Sequence, residues 1–173
     1  KCQRTGKEYG AVDTWDNRRA IVLDSLSGLN VMAMDLVVGS KPVKAIGEWG
    51  VAMDNEERLI TKLCADTKAF FVLTAHLERE VDEVSGGLNL MAAALGRKLA
   101  PKLPRFFSDV IHTIRDGDKF YWSTASVSVD LKARNLPIKA NMEPTFVPIV
   151  KAWKDRYFKG VGSTVPPGLG NVV

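Results

Sequence analysis

An α/β fold, with a mostly parallel sheet flanked by helices and followed by a C-terminal antiparallel hairpin, is what three features of this chain predict. A short β-branched run, Ala20 to Leu23, stops abruptly on Asp24 and Ser25. A long amphipathic segment follows, and then a second apolar run, Ala69 to His76, rich in aromatic and β-branched residues. Farther on, Asp116-Gly117 separates two strand-like halves, the pattern of a tight hairpin. Strand, helix and strand in that order require a right-handed parallel crossover. Asp24 and His76 are therefore expected at the same edge of one sheet.

The elements follow in order. Residues 1–19 are polar and turn-rich and read as a segment internal to a longer protein. Four apolar residues at 20–23 do not separate helix from strand by periodicity, but Ile21-Val22, the brevity of the run and the Ser-Leu-Ser-Gly turn after Asp24 favour a buried strand. Ligands of open α/β sheets sit beyond the carboxyl ends of such strands. One aspartate beside a serine there suits the hydrated Mg²⁺ of a nucleoside triphosphate, which keeps most of its waters and needs one or two carboxylates. Asp24 as a helix N-cap is the plainer alternative. Gly28 to Gly47, with Met32, Met34 and Lys41-Pro42-Val43-Lys44, reads as a loop.

From Glu48 to Lys68 the apolar positions Trp49, Ala52, Met53, Leu59, Ile60, Leu63 and Cys64 recur at three and four, with Asp54, Glu56, Glu57, Arg58 and Lys62 on the other side. This is a long amphipathic helix. After the 69–76 run comes a charged stretch, Glu78-Arg79-Glu80, then Ser85-Gly86-Gly87, then Leu88 to Leu103 with apolar residues at helical spacing. Val110 to Arg115 and Lys119 to Thr124 flank the Asp-Gly turn. Beyond Pro137 the chain is a Pro- and Gly-containing tail in which 153–158 reads as a turn of helix. The core is thus expected at 20–137 and the tail at 138–173.

Composition bounds the function. The 173 residues are 46% hydrophobic, enough for one good core, and the net charge of +4 is compatible with nucleic acid without requiring it. Cys2 and Cys64 lie far apart, a reduced intracellular pattern rather than a disulfide framework. No apolar run is long enough to span a bilayer, and the first residues are not a signal peptide, so no membrane partner and a cytoplasmic location are expected.

Strand ending in Asp-Ser, crossover helix, strand ending in Thr-Ala-His, long segment, hairpin and Lys-Ala-Arg together resemble the second half of a RecA-like P-loop ATPase core. The similarity is to bacteriophage-type nucleotide-binding proteins of recombination and single-strand annealing, and it covers about Ala20 to Pro137. It implies ATP and Mg²⁺ as cofactors, with Asp24 as the Walker B metal residue and Ser25 beside it. It implies His76 as a γ-phosphate sensor, and Lys132 and Arg134 as a finger inserted into a neighbouring subunit's site. A homo-oligomer, ring or filament, follows from that finger, in a bacterial host cell or phage setting. Plain surface cations at 132 and 134, and a satisfied sheet-edge histidine at 76, are the alternatives. His112, inside the hairpin, reads as structural.

The chain departs from that family at one point. No glycine-rich Gly-Lys-Ser/Thr loop precedes Asp24, and Thr5-Gly6-Lys7-Glu8 lacks the earlier glycine and puts a negative charge where the Mg²⁺ hydroxyl belongs. Hydrolysis is accordingly expected of an intact, longer protein; a non-hydrolysing assembly protein with a degenerate core is the alternative. A hydrolase using Ser25 or Ser27 with His76 lacks a Gly-x-Ser-x-Gly elbow. For single-stranded DNA, the candidate contacts are Lys41 and Lys44 after the first strand, and Arg97, Lys98, Lys102 and Arg105 after the second. The last four read equally as the solvated face of a helix. Trp49 and Trp122 are expected in core packing rather than in a stacking surface.

Overall fold

The computed structural model describes residues 2–41, 45–81, 86–96, 98–126 and 128–158. The chain forms two compact units, Lys1–Phe107 with Ser128–Asp130, and Ser108–Val127 with Leu131–Val173. The division falls inside the 20–137 span.

In the first unit, β1 (Ala20–Leu23) leads directly into α1 (Leu26–Val38), then α2 (Ile46–Asp66), then β2 (Phe70–Leu73), which pairs parallel to β1 with Leu23 opposite Leu73. The predicted strand–helix–strand crossover is therefore present, with two helices in it instead of one. The loop expected at Gly28 to Gly47 is largely α1. Its apolar residues cover almost every face, leaving Val31, Met32 and Leu36 exposed beside the buried Leu26, Ala33, Met34 and Val38. With no polar face, the 3.6-residue contrast that marks a surface helix is missing. Gly39 ends it in a left-handed conformation (φ 62°), its N–H reaching Asp35 O at 2.8 Å.

The N-terminus of α2 is fixed by Glu48, whose Oε2 accepts the Ala45 N–H at 2.8 Å and whose Oε1 meets Lys41 Nζ at 3.0 Å. The Ala45 amide, followed by Lys41, holds this carboxyl below its ordinary pKa. Farther along the helix, Ala52, Glu56 and Ile60 are buried at four-residue spacing. Ala52 joins Ala33, Met34, Val38 and Leu95 in one core cluster, and Ile60 joins Leu26, Leu99 and Leu103 in another. Leu73, Cys64, Phe106 and Phe107 pack around the second, where the Phe71 and Phe107 rings lie 5.8 Å apart.

The sheet expected to be mostly parallel is not. Beyond β1–β2 the pairs are antiparallel: β3 (Leu77–Val81) with β4 (Leu88–Ala92), β5 (Asp109–Val110) with β8 (Lys132–Ala133), and β6 (His112–Asp116) with β7 (Lys119–Ser123). Each is two-stranded. The β3–β4 hairpin corrects the helical reading of Leu88 to Leu103: its first five residues are strand, Ala100–Lys102 is a 3₁₀ turn, and α3 (Leu103–Phe106) is one helical turn. Gly96, between these parts, has φ 75°, and a Cβ there would lie 2.4 Å from Met53 Sδ. A side chain there would have to displace Met53 and would sit at a positive φ that favours glycine.

In the second unit the predicted hairpin forms as expected, with Gly117 at φ 61° in its turn. Trp122 and Met142 exchange backbone hydrogen bonds at 2.9 and 2.7 Å, adding a third strand-like segment to β7. α4 (Val147–Phe158) extends the short helix expected at 153–158 toward the N-terminus. Among the described residues, no helix is long and apolar enough to cross a membrane.

Candidate functional site

The carboxyl edge of β1–β2 is where the chemistry gathers. The Thr74 N–H continues the strand pairing to Leu23 O at 3.1 Å, and the Leu26 N–H returns to Thr74 O at 2.8 Å. Both strands therefore discharge at one edge, and α1 starts there. Its first turn is closed by Gly28 and Leu29 N–H on Ser25 O, at 3.1 and 3.2 Å, while the Ser25 side chain makes no capping bond. The Asp24–Ser25 peptide is cis. Asp24 and Thr74 are exposed, and the Thr74 hydroxyl donates to Asp24 Oδ1. Asp24 is thus not the N-cap; Ser25 holds that position.

One carboxylate oriented by a hydroxyl, beside the amide end of a 13-residue helix, has a definite chemical range. It can hold a cation that brings most of its own ligands, and the helix end favours the anion that carries it. Among the described residues no group of three or more His, Cys, Asp and Glu side chains is placed to hold a metal by itself. By itself Asp24 could hold only a cation that brings most of its own ligands, not one caged wholly by protein. Asp24, with Thr74 behind it, would hold such an ion, which would neutralise phosphate charge.

The other predicted residues fall differently. His76 is exposed two residues beyond Thr74, and its backbone oxygen accepts the Ala93 N–H at 2.8 Å. Thr74, not His76, is the residue brought to the carboxylate. It was legible as the hydroxyl closing the second strand, one position past the residue opposite Leu23. Neither Ser25 nor Ser27 hydrogen-bonds His76 among the described residues. Lys132 and Arg134 are exposed in the second unit, where the Arg134 N–H donates to Asp109 Oδ1 at 2.9 Å. His112 is half-buried opposite Ser123 in the hairpin.

Of the six cations assigned to nucleic acid, Lys44 and Arg97 lie outside the described residues. Lys41 is tied to Glu48, and Lys102 to Glu57 with Nζ 2.7 Å from Oε2. Lys98 and Arg105 are exposed. Pairing thus offsets two of the four described charges, which leaves these loops a weaker electrostatic footprint than their sequence suggests.

One charged residue of α2, Glu56, lies on the buried side of the helix rather than the polar one. Glu56 is 1% exposed, and neither carboxylate oxygen has a hydrogen-bond partner in standard geometry. Burial pushes its pKa up to about 7, an effect the Leu95 backbone opposes without closing a full hydrogen bond. Asn30 on α1 has a buried Oδ1 that is likewise unpartnered, while its Nδ2 donates to Ala93 O at 2.8 Å. The signal was present: 56 stands four residues from both Ala52 and Ile60. Burial also pushes the Cys64 thiol up to about 11, which makes it an inert packing group at neutral pH.

Comparison of the chain with protein-family models, with curated proteins and with solved structures returns no match.

Proposed function

We propose that this chain carries the Mg²⁺ side of a nucleoside-triphosphate site in a RecA-like ATPase that works on DNA in phage recombination or single-strand annealing. The observation that carries the reading is the Thr74 hydroxyl bonded to Asp24 at the shared carboxyl edge of a parallel strand pair. Asp24 would accept from the waters of phosphate-bound Mg²⁺, and Thr74 would orient the carboxylate. The α1 N-terminus supplies partial positive charge at the same edge. His76, just beyond, is the candidate γ-phosphate contact, and Lys132 and Arg134 are the candidate finger for a neighbouring subunit of a homo-oligomer. Phosphoryl transfer is mostly positioning and charge neutralisation, so a metal anchor, a phosphate contact and a cation in trans form a coherent set.

Calorimetric titration of the protein with ATP, with Mg²⁺ and with excess EDTA, tests this. The expected result is Mg²⁺-dependent binding that Asp24→Asn weakens about tenfold or more, the scale found when groups orienting a metal's ligands are removed. Binding indifferent to Mg²⁺, or unchanged in Asp24→Asn, overturns the reading.

A further inference from the structure

An antiparallel pair with one face in water should carry polar side chains on that face, and β6–β7 does so on one strand only. Its register sets Thr113 opposite Trp122 and Arg115 opposite Phe120. Those four side chains share one face, and His112, Ile114, Tyr121 and Ser123 share the other. The second set is half-buried or buried, so it is the covered face. The first set is the more open one: Thr113, Arg115 and Phe120 are exposed, and Trp122 is half-buried among them.

Phe120 is 54% exposed, with the Arg115 guanidinium 5.9 Å from its ring centroid. Trp122 lies two residues along, about 7 Å on a strand, and meets the Phe146 ring edge-on at 4.9 Å. Phe146 is itself 45% exposed. Met142, paired with Trp122, extends the same face. Aromatic rings at strand spacing with a guanidinium beside them suit nucleobases, whose π-faces stack whatever the sequence.

Charge points the same way. The second unit holds nine Lys and Arg against five Asp and Glu, and the first holds fifteen of each, so the whole net charge of +4 belongs to the unit with the aromatic face. A polyanion is the complementary partner.

We infer that the open face of β6–β7 is a stacking platform for single-stranded nucleic acid, with Phe120 and Trp122 receiving bases and Arg115 the adjacent phosphate. The inference deepens the DNA half of the proposed function and rests on it only in taking nucleic acid as the partner. It places the contact on this hairpin rather than on the 41–44 and 97–105 loops.

The test is anisotropy of a fluorescein-labelled oligo-dT of about twelve nucleotides, titrated with the full chain in EDTA and without ATP, so that failure of the ATP reading leaves it intact. Binding should fall steeply with salt. Phe120→Ala should weaken it about tenfold. Phe120→Leu, which keeps apolar area but removes the π-face, should weaken it about as much. Arg115→Gln should lower the salt slope by about one. Because Phe120 is half in solvent, these variants should keep the parent's circular dichroism and melting temperature. Absence of oligonucleotide binding, parent-like binding by Phe120→Ala, or parent-like binding by Phe120→Leu overturns the inference. So does self-association of the parent that Phe120→Ala abolishes while oligonucleotide binding stays, since the face would then dock a second copy.

Discussion

Glu56→Gln should remove much of the pH dependence of this protein's stability across the weakly acidic range. The carboxyl is sealed between two core clusters, with Ala52 one turn before it and Ile60 one turn after. Burial lifts its pKa from 4.5 to about 7. Below the unfolded value the group is protonated in both states and costs nothing electrostatically. Between the two values the unfolded chain releases the proton while the folded chain keeps it, so stability falls as pH rises, by about 1.4 kcal/mol per unit. Above the folded value the loss is complete, at about 3 kcal/mol. The amide cannot ionise, so the variant should match the parent near pH 5 and exceed it by up to about 3 kcal/mol near pH 8, or roughly 10 °C in melting temperature. Urea denaturation midpoints at the two pH values measure the difference. Parallel stability curves for parent and variant would refute the reasoning, because a carboxylate that stayed ionised through folding would have to be solvated or paired.

The remaining predictions concern the core and the second unit. Ile60 is fully buried against Leu26, Leu99 and Leu103, so Ile60→Ala should cost about 2–5 kcal/mol in chemical denaturation; a cost below about 1 kcal/mol would mean that the cluster does not close as described. Asp109 Oδ1 accepts the N–H groups of Arg134 and Asn135 at 2.9 and 2.8 Å, and Oδ2 accepts from the Asn135 side chain. Asp109→Ala should therefore destabilise the β5–β8 pairing by about 1–3 kcal/mol, seen as faster amide exchange at 132–135. Unchanged exchange there would show that the turn holds without its acceptor.

Local signals were read correctly where the residues themselves enforce the conformation. Asp116-Gly117 needs a left-handed glycine, and the hairpin forms around it. The strand ending at Leu23 and its parallel partner followed from β-branched and aromatic runs separated by a helix, although the apolar run to His76 overstates the second strand, which stops at Leu73. The α2 periodicity was legible, yet Glu56 was assigned by residue type to the polar side although its spacing placed it on the buried one. α1 was lost because a helix apolar on nearly all sides shows no contrast, and Gly28 within it reads as a break. The β3–β4 hairpin was lost because Glu78-Arg79-Glu80 interrupts the alternation that would have marked β3, while Leu88, Leu95, Leu99 and Leu103 imitate a helical face. At the candidate site, Asp24 was found from its place at a strand end. Thr74 is less conspicuous in the sequence than His76, because which side chain meets the carboxylate depends on the register between two strands.

By itself the sequence determined the strand that stops at Asp24 and the turn at Gly117, because short-range sterics and β-branching act within a few residues. Only the tertiary structure decided that Thr74 rather than His76 meets Asp24, that Lys41 and Lys102 are spoken for by Glu48 and Glu57, and that Phe120 faces water while Glu56 does not. Those outcomes depend on strand register and on which helix face finds a partner. Both are set by contacts between residues far apart in the chain, which no local pattern encodes.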